Sequence, residues 1–473
     1  MNIATCWGRT AAALAVTVAL ALPGHAQPGL MVATSDFQTG SLASFAPGAA
    51  QPRTNLLLIH SDVAVRYHDG LVWVLNRLGQ DNVLVVDPAA PEVPVRQFSV
   101  GNGSNPQDIA FAGPSKAYVS RLESPRLLVV DPSNGESRGE IDLTPLADAD
   151  GIPEAADMQI VGSRLYVACQ RLDRNGSWGP TTGSVLAVID TATDALVDMN
   201  PAVDGLQGLA LTAANPISLT AIGGKLVVGG SAFFGDQSGG VEVLDLTQGT
   251  STGLRVTEAA LGGDLTSLVM VSSRRGYAIV SDASYRNSVV PIDLLDGTVG
   301  PPLAGHSGGY TPDMAFDGTR LIVADRGTYA DPNAAGVLFY DAATGALLAG
   351  PVSVGLPPVA LAVLTEVQVQ TAVREEAAAA LPGQAYLGAG YPNPFNGSVV
   401  LPFAVNGSGA RLLVRDALGQ VVRVLADGAL APGVHQLTWD GRDAQGARVG
   451  NGTYLVELVV GAERLARKVT VLE

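Results

Sequence analysis

Cysteine is nearly missing from this 473-residue chain, which has two, Cys6 and Cys169. Cys6 lies ahead of an apolar run that reads as a cleavable leader, so Cys169 would remain alone and no intramolecular disulfide could form. A lone thiol of this kind reads as a small core residue on a strand. Charge is scarce too, at 15% of residues against a usual quarter. Basic residues are the scarcer sign: 28 Lys and Arg against 44 Asp and Glu give a net charge of −16. Nucleic-acid binding needs a basic surface, so this balance disfavours it. Histidines beyond the leader are His60, His68, His306 and His435, and no two stand at a metal-ligand spacing. No G-x-S-x-G elbow, Walker loop or dinucleotide fingerprint occurs in a strand-to-helix context. Gly223-Gly224-Lys225 reads as a turn between strands. Long hydrophobic runs are also lacking. Ala11–Leu22 spans twelve residues, too short for a bilayer crossing of about 20, so no transmembrane helix is expected.

That short run follows Arg9 and is broken by Pro23-Gly24-His25-Ala26, the pattern of a secretory leader over 1–26 with cleavage near Ala26. The expected location is secreted or on the outer surface of a bacterial cell.

Beyond it, 56 glycines and 29 prolines punctuate short apolar segments, and helical periodicity is absent. A short, mostly apolar run ending in Asp recurs, as Val83–Asp87, Leu127–Asp131, Val185–Asp190, Val241–Asp245, Val289–Asp293 and Val337–Asp341. The aspartates are 44, 59, 55, 48 and 48 residues apart, and turn residues follow them. Each unit holds about four short strands; the second reads as 108–111, 116–120, 126–130 and 138–143. Four strands per 45–50 residues is the pattern of a propeller blade. A seventh unit can be assembled from both ends: Pro357–Ala362 reads as an inner strand, and Thr39–Phe45 resembles the third strand Thr182–Val188. The repeat resembles the YVTN-type propeller family, which implies a seven-bladed β-propeller over 27–370. Residues 371–385, with Glu375, Glu376 and four alanines, read as a linker.

Alternation returns in Ser398–Val405, Arg411–Arg415, Gln420–Leu425, His435–Trp439, Thr453–Val460 and Arg464–Leu472, separated by turns. This is the pattern of a small β-sandwich over 386–473, so the fold class is all-β. Trp439 is placed to fill its core, and Gly441 and Gly446 suit turns of positive φ. Tyr391-Pro392-Asn393-Pro394-Phe395-Asn396, Asp416–Gln420, Gly433–Asp443, Gly452-Thr453-Tyr454 and Arg467–Glu473 occur in order. Together they resemble the FlgD-like immunoglobulin domain used as the type A C-terminal sorting domain of type IX secretion cargo. The resemblance implies the type IX secretion machinery as a partner, and cleavage of the domain after translocation. Similar domains also serve as plain structural modules.

Three features could carry chemistry. Asp62, Asp108, Asp157 and Asp313 open first strands, and Arg77, Arg121, Arg171 and Arg326 close the second strands of the same units. Antiparallel pairing brings these places to one face. They read either as Asp–Arg braces or as a polar funnel for an anionic or glycan ligand. Asp148, Asp150, Glu154 and Asp157 cluster hard oxygen ligands, reading either as a calcium site or as a solvated acidic loop. The long polar stretch Gln170–Trp178 follows; Trp178 either covers the loop base or stacks on a sugar. No catalytic acid–base pair emerges. The expected function is therefore ligand binding, with a calcium-dependent lactonase- or lyase-like enzyme, or a surface-layer component, as alternatives.

Overall fold

The computed structural model describes residues 28–246, 249–365 and 385–472, apart from 389, 391, 392, 394, 406–408, 417, 429, 431, 432 and 462. The expected leader over 1–26, nearly all of the expected linker and the motif residues Tyr391, Pro392 and Pro394 lie outside these residues.

The described chain is almost entirely β-structured. Its single α-helix, Glu258–Leu261, is four residues long, and none of the described helices is long and apolar enough to cross a membrane. Residues 28–365 form seven antiparallel sheets. Six follow chain order, with first strands Val63–His68, Pro106–Gly113, Ala155–Val161, Pro216–Ile222, Asp264–Met270 and Asp313–Phe316. We call these sheets one to six. The seventh draws on both ends: Pro358–Val363 pairs antiparallel with Leu30–Ser35, which pairs with Gly40–Phe45 and through it with Leu58–Ile59.

The apolar runs ending in Asp are the third strands of sheets one to six. Nearly every residue of Asn82–Val86, Arg126–Val130, Val185–Asp190 and Gly336–Asp341 is buried. A strand is apolar on both faces when both faces are covered. The packing bears this out, because each apolar cluster joins one sheet to the next. Trp73, Val83 and Val85 of sheet one meet Ile109 and Val119 of sheet two. Equivalent clusters link sheets two to three, three to four, four to five and five to six. Phe339 of sheet six packs edge-on to Phe45 of the seventh, with ring centroids 5.6 Å apart. Met31 and Leu42 of the seventh join Val63 and Val74 of sheet one. Fully burying one such side chain contributes roughly 1.5–3 kcal/mol. First strands also contact first strands in the same succession, from Val63–His68 through to Pro358–Val363 and back to Val63–His68.

Turn chemistry follows the runs. Asp131 Oδ1 accepts from the amide and hydroxyl of Ser133, and Asp341 Oδ1 from the amide and hydroxyl of Thr344. Gly135 and Gly345 take positive φ (81° and 73°), as these turns require.

Residues 385–472 form a separate Ig-like module of two sheets. One orders Tyr386–Leu387, Val399–Val405 and Gly433–Trp439; the other orders Val421–Gly428, Ala410–Arg415, Gly452–Val460 and Glu463–Val471. Trp439 is fully buried between them, meets Phe395 edge-on at 5.5 Å, and donates Nε1–H to the Arg442 carbonyl at 2.9 Å. Gly441 and Gly446 have φ of 67° and 82°.

Candidate functional site

The first strands of sheets two to five each carry a register shift near their start, at Pro106/Asp108, Ala155/Met158, Pro216/Ser218 and Leu265/Ser267. A bulge of this kind re-aims one side chain. The re-aimed residues in sheets two and three are aspartates, and both reach the following sheet. Asp108 Oδ2 accepts from the Met158 amide at 2.9 Å, and Asp157 Oδ2 from the Leu219 amide at 2.7 Å. Asp313 Oδ2 does the same with the Leu361 amide at 2.8 Å. In sheet four Ser218 holds this place, and its hydroxyl donates to the Leu268 carbonyl at 3.4 Å. Each acceptor or donor one sheet on is the residue just after the equivalent position. These groups therefore stitch neighbouring first strands together.

Between these strands lies a cavity of about 570 Å³. Its polar lining includes Arg66, Arg77, Gln107, Asp157, Gln170 and Asp313. Arg66 organises the charge. Its Nε bonds Asp108 Oδ1 at 2.7 Å and its Nη2 bonds Asp157 Oδ1 at 3.2 Å. The Asp108 carboxylate beside it raises the Arg66 pKa further above its usual value. Burial, then the neighbouring Asp108 carboxylate, push Asp157 up to about 8 against the pull of Arg66. Burial pushes Asp313 up to about 6. Arg66 was not a sequence candidate. Its one signal is a charge in the middle of the otherwise low-polarity strand Val63-Ala64-Val65-Arg66, with no counterpart in the other units.

The eight residues of the expected funnel separate. Arg77 and Asp62 pair directly, with Asp62 Oδ1 accepting from Nε at 2.9 Å and Nη2 at 2.5 Å. Arg77 Nη1 also donates to Gln107 Oε1 at 3.0 Å. Asp62 precedes its strand and makes no sheet-to-sheet stitch. The Asp–Arg braces of the other three units are corrected: their arginines bind elsewhere. Arg121 is buried, pairs with Glu140 at 2.5 Å and donates to the Val100 and Arg126 carbonyls. Arg171 donates to the carbonyls of Leu146 (2.7 Å) and Gly183 (2.9 Å). Arg326 stacks over Phe37 at 4.0 Å and reaches the Pro357 carbonyl at 3.4 Å. Arg77, Asp157 and Asp313 line the cavity, whereas Arg121, Arg171 and Arg326 do not.

The acidic loop is also divided. Asp148 accepts from the Thr181 hydroxyl and from the Asp150 amide. Glu154 is fully buried, accepts from the Leu172 amide at 2.9 Å, and is pushed by burial up to about 7. Asp157 faces Arg66 instead. The cation among these carboxylates is the Arg174 guanidinium, which bonds Glu123, reaches Glu154 at 3.4 Å and lies 3.9 Å from Asp150. Among the described residues, no three His, Cys, Asp or Glu side chains are grouped to hold a metal ion. Cys169 is buried, and its thiol is pushed up to about 12 by burial.

Residues 395–463 match the model of the FlgD Ig-like domain family. The chain thus carries a FlgD-like immunoglobulin domain behind its seven sheets. Among curated proteins no sequence relative matches the chain. Among solved structures, it is similar to a candidate 6-phosphogluconolactonase from Bacteroides fragilis, at 13% identity and a TM-score of 0.51, over 71% of this chain and 97% of that one. It is also similar to PorZ, an essential bacterial surface component of the type IX secretion system of Porphyromonas gingivalis, at 14% identity and a TM-score of 0.45. That match covers 93% of this chain and 64% of PorZ.

Proposed function

We propose that this chain is an exported binding protein. In this reading residues 28–365 close into a seven-bladed β-propeller, and the cavity between the first strands is the axial ligand site. Support for closure is the unbroken succession of sheet-to-sheet apolar clusters, which passes through the sheet shared by both ends. The observation that carries the binding role is the convergence of Arg66, Arg77, Gln107, Asp157 and Asp313 on one cavity. Guanidinium, amide and carboxylate groups there suit a hydroxyl-rich or carboxylated ligand. The FlgD-like domain acts as a type IX sorting signal, delivering the propeller to the outer surface or the medium.

Two measurements test this. Calorimetric titration of the full chain with glucuronate and with glucose should favour glucuronate, and Arg77→Ala should weaken binding at least tenfold. Equal binding by the variant removes the axial site. Peptide mapping of the mature protein from surface and medium fractions should find no peptides beyond about Gly390; peptides reaching the C-terminus would make the sandwich a retained module.

A further inference from the structure

A second cavity, of about 360 Å³, opens where the starts of sheets four and five meet the long loop between the second and third strands of sheet three. It touches the axial cavity only through Ile217, which lines both. Its walls are aromatic: Trp178, Phe233 and Phe234, which keep 47%, 43% and 40% of their surface exposed. Three exposed aromatics around one cavity are unusual in a chain with only 5% aromatics. Backbone geometry holds them there. Trp178 has φ of 58°, and its amide is tied to the Asp173 carbonyl at 2.9 Å. Gly179 packs so tightly on Phe233 that a Cβ would lie 2.8 Å from the ring. Phe234 stacks on Tyr285 with centroids 4.9 Å apart and planes 7° from parallel.

Between these walls the polar groups are small and mostly acceptors. Asn215 turns its Nδ2 toward the Ser231 hydroxyl (3.2 Å) and the Ala232 carbonyl (3.1 Å). Its Oδ1 is shielded from solvent and has no hydrogen-bond partner. Asp264, nearly buried, spends Oδ1 on the Gly235 amide at 2.7 Å. Ser177, Ser231 and Thr266 add hydroxyls. Flat apolar faces flanking fixed acceptors match a pyranose ring. Its C–H face lies on the negative face of an aromatic ring, and its hydroxyls donate to the acceptors. A cationic guest would meet Arg174, whose guanidinium already sits 5.3 Å over the Trp178 ring.

We propose that this cavity is a carbohydrate subsite that takes a neutral pyranose, stacked between Trp178 and Phe233 and hydrogen-bonded through Asp264 and the neighbouring hydroxyls. It stands independently of the axial site.

The test uses residues 27–473, which leave out Trp7, and the exposure of their tryptophans. Trp73 and Trp439 are buried, so acrylamide quenching of the folded protein reports Trp178. A panel of neutral hexoses, N-acetylhexosamines and their disaccharides, each titrated to about 50 mM, should contain a member that saturably protects Trp178. Trp178→Ala removes the optical signal, so calorimetry reads that variant and Phe233→Ala, both expected to lose at least tenfold in affinity. Arg77→Ala, in the other cavity, should change nothing here, which separates this proposal from the axial one. Failure of the whole panel overturns the proposal. Saturation by tetramethylammonium in place of any sugar also overturns it and makes the site a cation cage.

Discussion

Replacing Arg66 by methionine keeps most of its aliphatic bulk and removes the guanidinium from Asp108 and Asp157. The Asp108 side chain retains 3% exposure, so its carboxylate would be stranded. Breaking a fully buried pair costs about 3–5 kcal/mol. Arg66 keeps 42% of its side chain accessible, so water already weakens the pair and we expect about 2 kcal/mol. Protonation sets a ceiling. Neutralising a carboxyl of ordinary pKa costs about 4 kcal/mol at pH 7 and about 1.5 kcal/mol at pH 5. The loss should therefore shrink with acid. In urea, with a slope of about 3 kcal/mol per molar, the pH 7 midpoint should fall by about 0.7 M. An unchanged midpoint, or a loss that grows on acidification, would refute the idea that Arg66 neutralises buried carboxylates.

Further outcomes follow from the same groups. Asp157, Asp313, Glu154 and Glu258 all have folded pKa values raised by burial, to about 8, 6, 7 and 7. The folded state then holds more protons than the unfolded state between pH 4 and 8. Stability from these groups is fully present below pH 4 and is lost as pH rises to 8, so the melting temperature should rise from pH 8 to 6; a flat or falling profile contradicts this. Trp439→Ala should destabilise the C-terminal module by about 3–5 kcal/mol, read as an earlier transition in differential scanning calorimetry of the full chain. Calcium should raise the melting temperature more in Arg174→Gln than in the wild-type chain, because the guanidinium holds the place of a cation among Glu123, Asp150 and Glu154. An equal response would separate Arg174 from any calcium site.

The strands were legible because their chemistry repeats. A run buried on both faces is mostly apolar, and its closing Asp opens a turn; sheet four departs from this with Glu242, buried and bonded to the amides of Thr212 and Ala213. The Ig-like strands were equally plain from alternation, and Trp439 stood out as the core plug. The site was legible only in part. Asp108, Asp157 and Asp313 were visible as a set, but their partners are backbone amides one sheet on, and an amide leaves no mark in the sequence. Asp62 was grouped with them although it precedes Val63–His68 and its carboxylate is taken by Arg77. Arg121, Arg171 and Arg326 repeat in position yet serve as anchors for carbonyls. Arg66, which does hold the carboxylates, leaves no repeat in the sequence because it occurs once. The aromatic cavity was hinted at by Trp178 alone; Phe233, Phe234 and Asn215 come from other loops that folding brings together.

In the proposed reading, closure of the ring would give the axial cavity its seventh wall, and it would rest on the pairing of Leu30–Ser35 with Pro358–Val363. Native-state hydrogen exchange on the full chain tests this most directly. The account predicts that amides of these two strands exchange as slowly as those of Val83–Val86 and Leu127–Val130, and that they open together. Rapid exchange of Leu30–Ser35 while sheets one to six stay protected would show an open arc, and the axial site would lose its seventh wall.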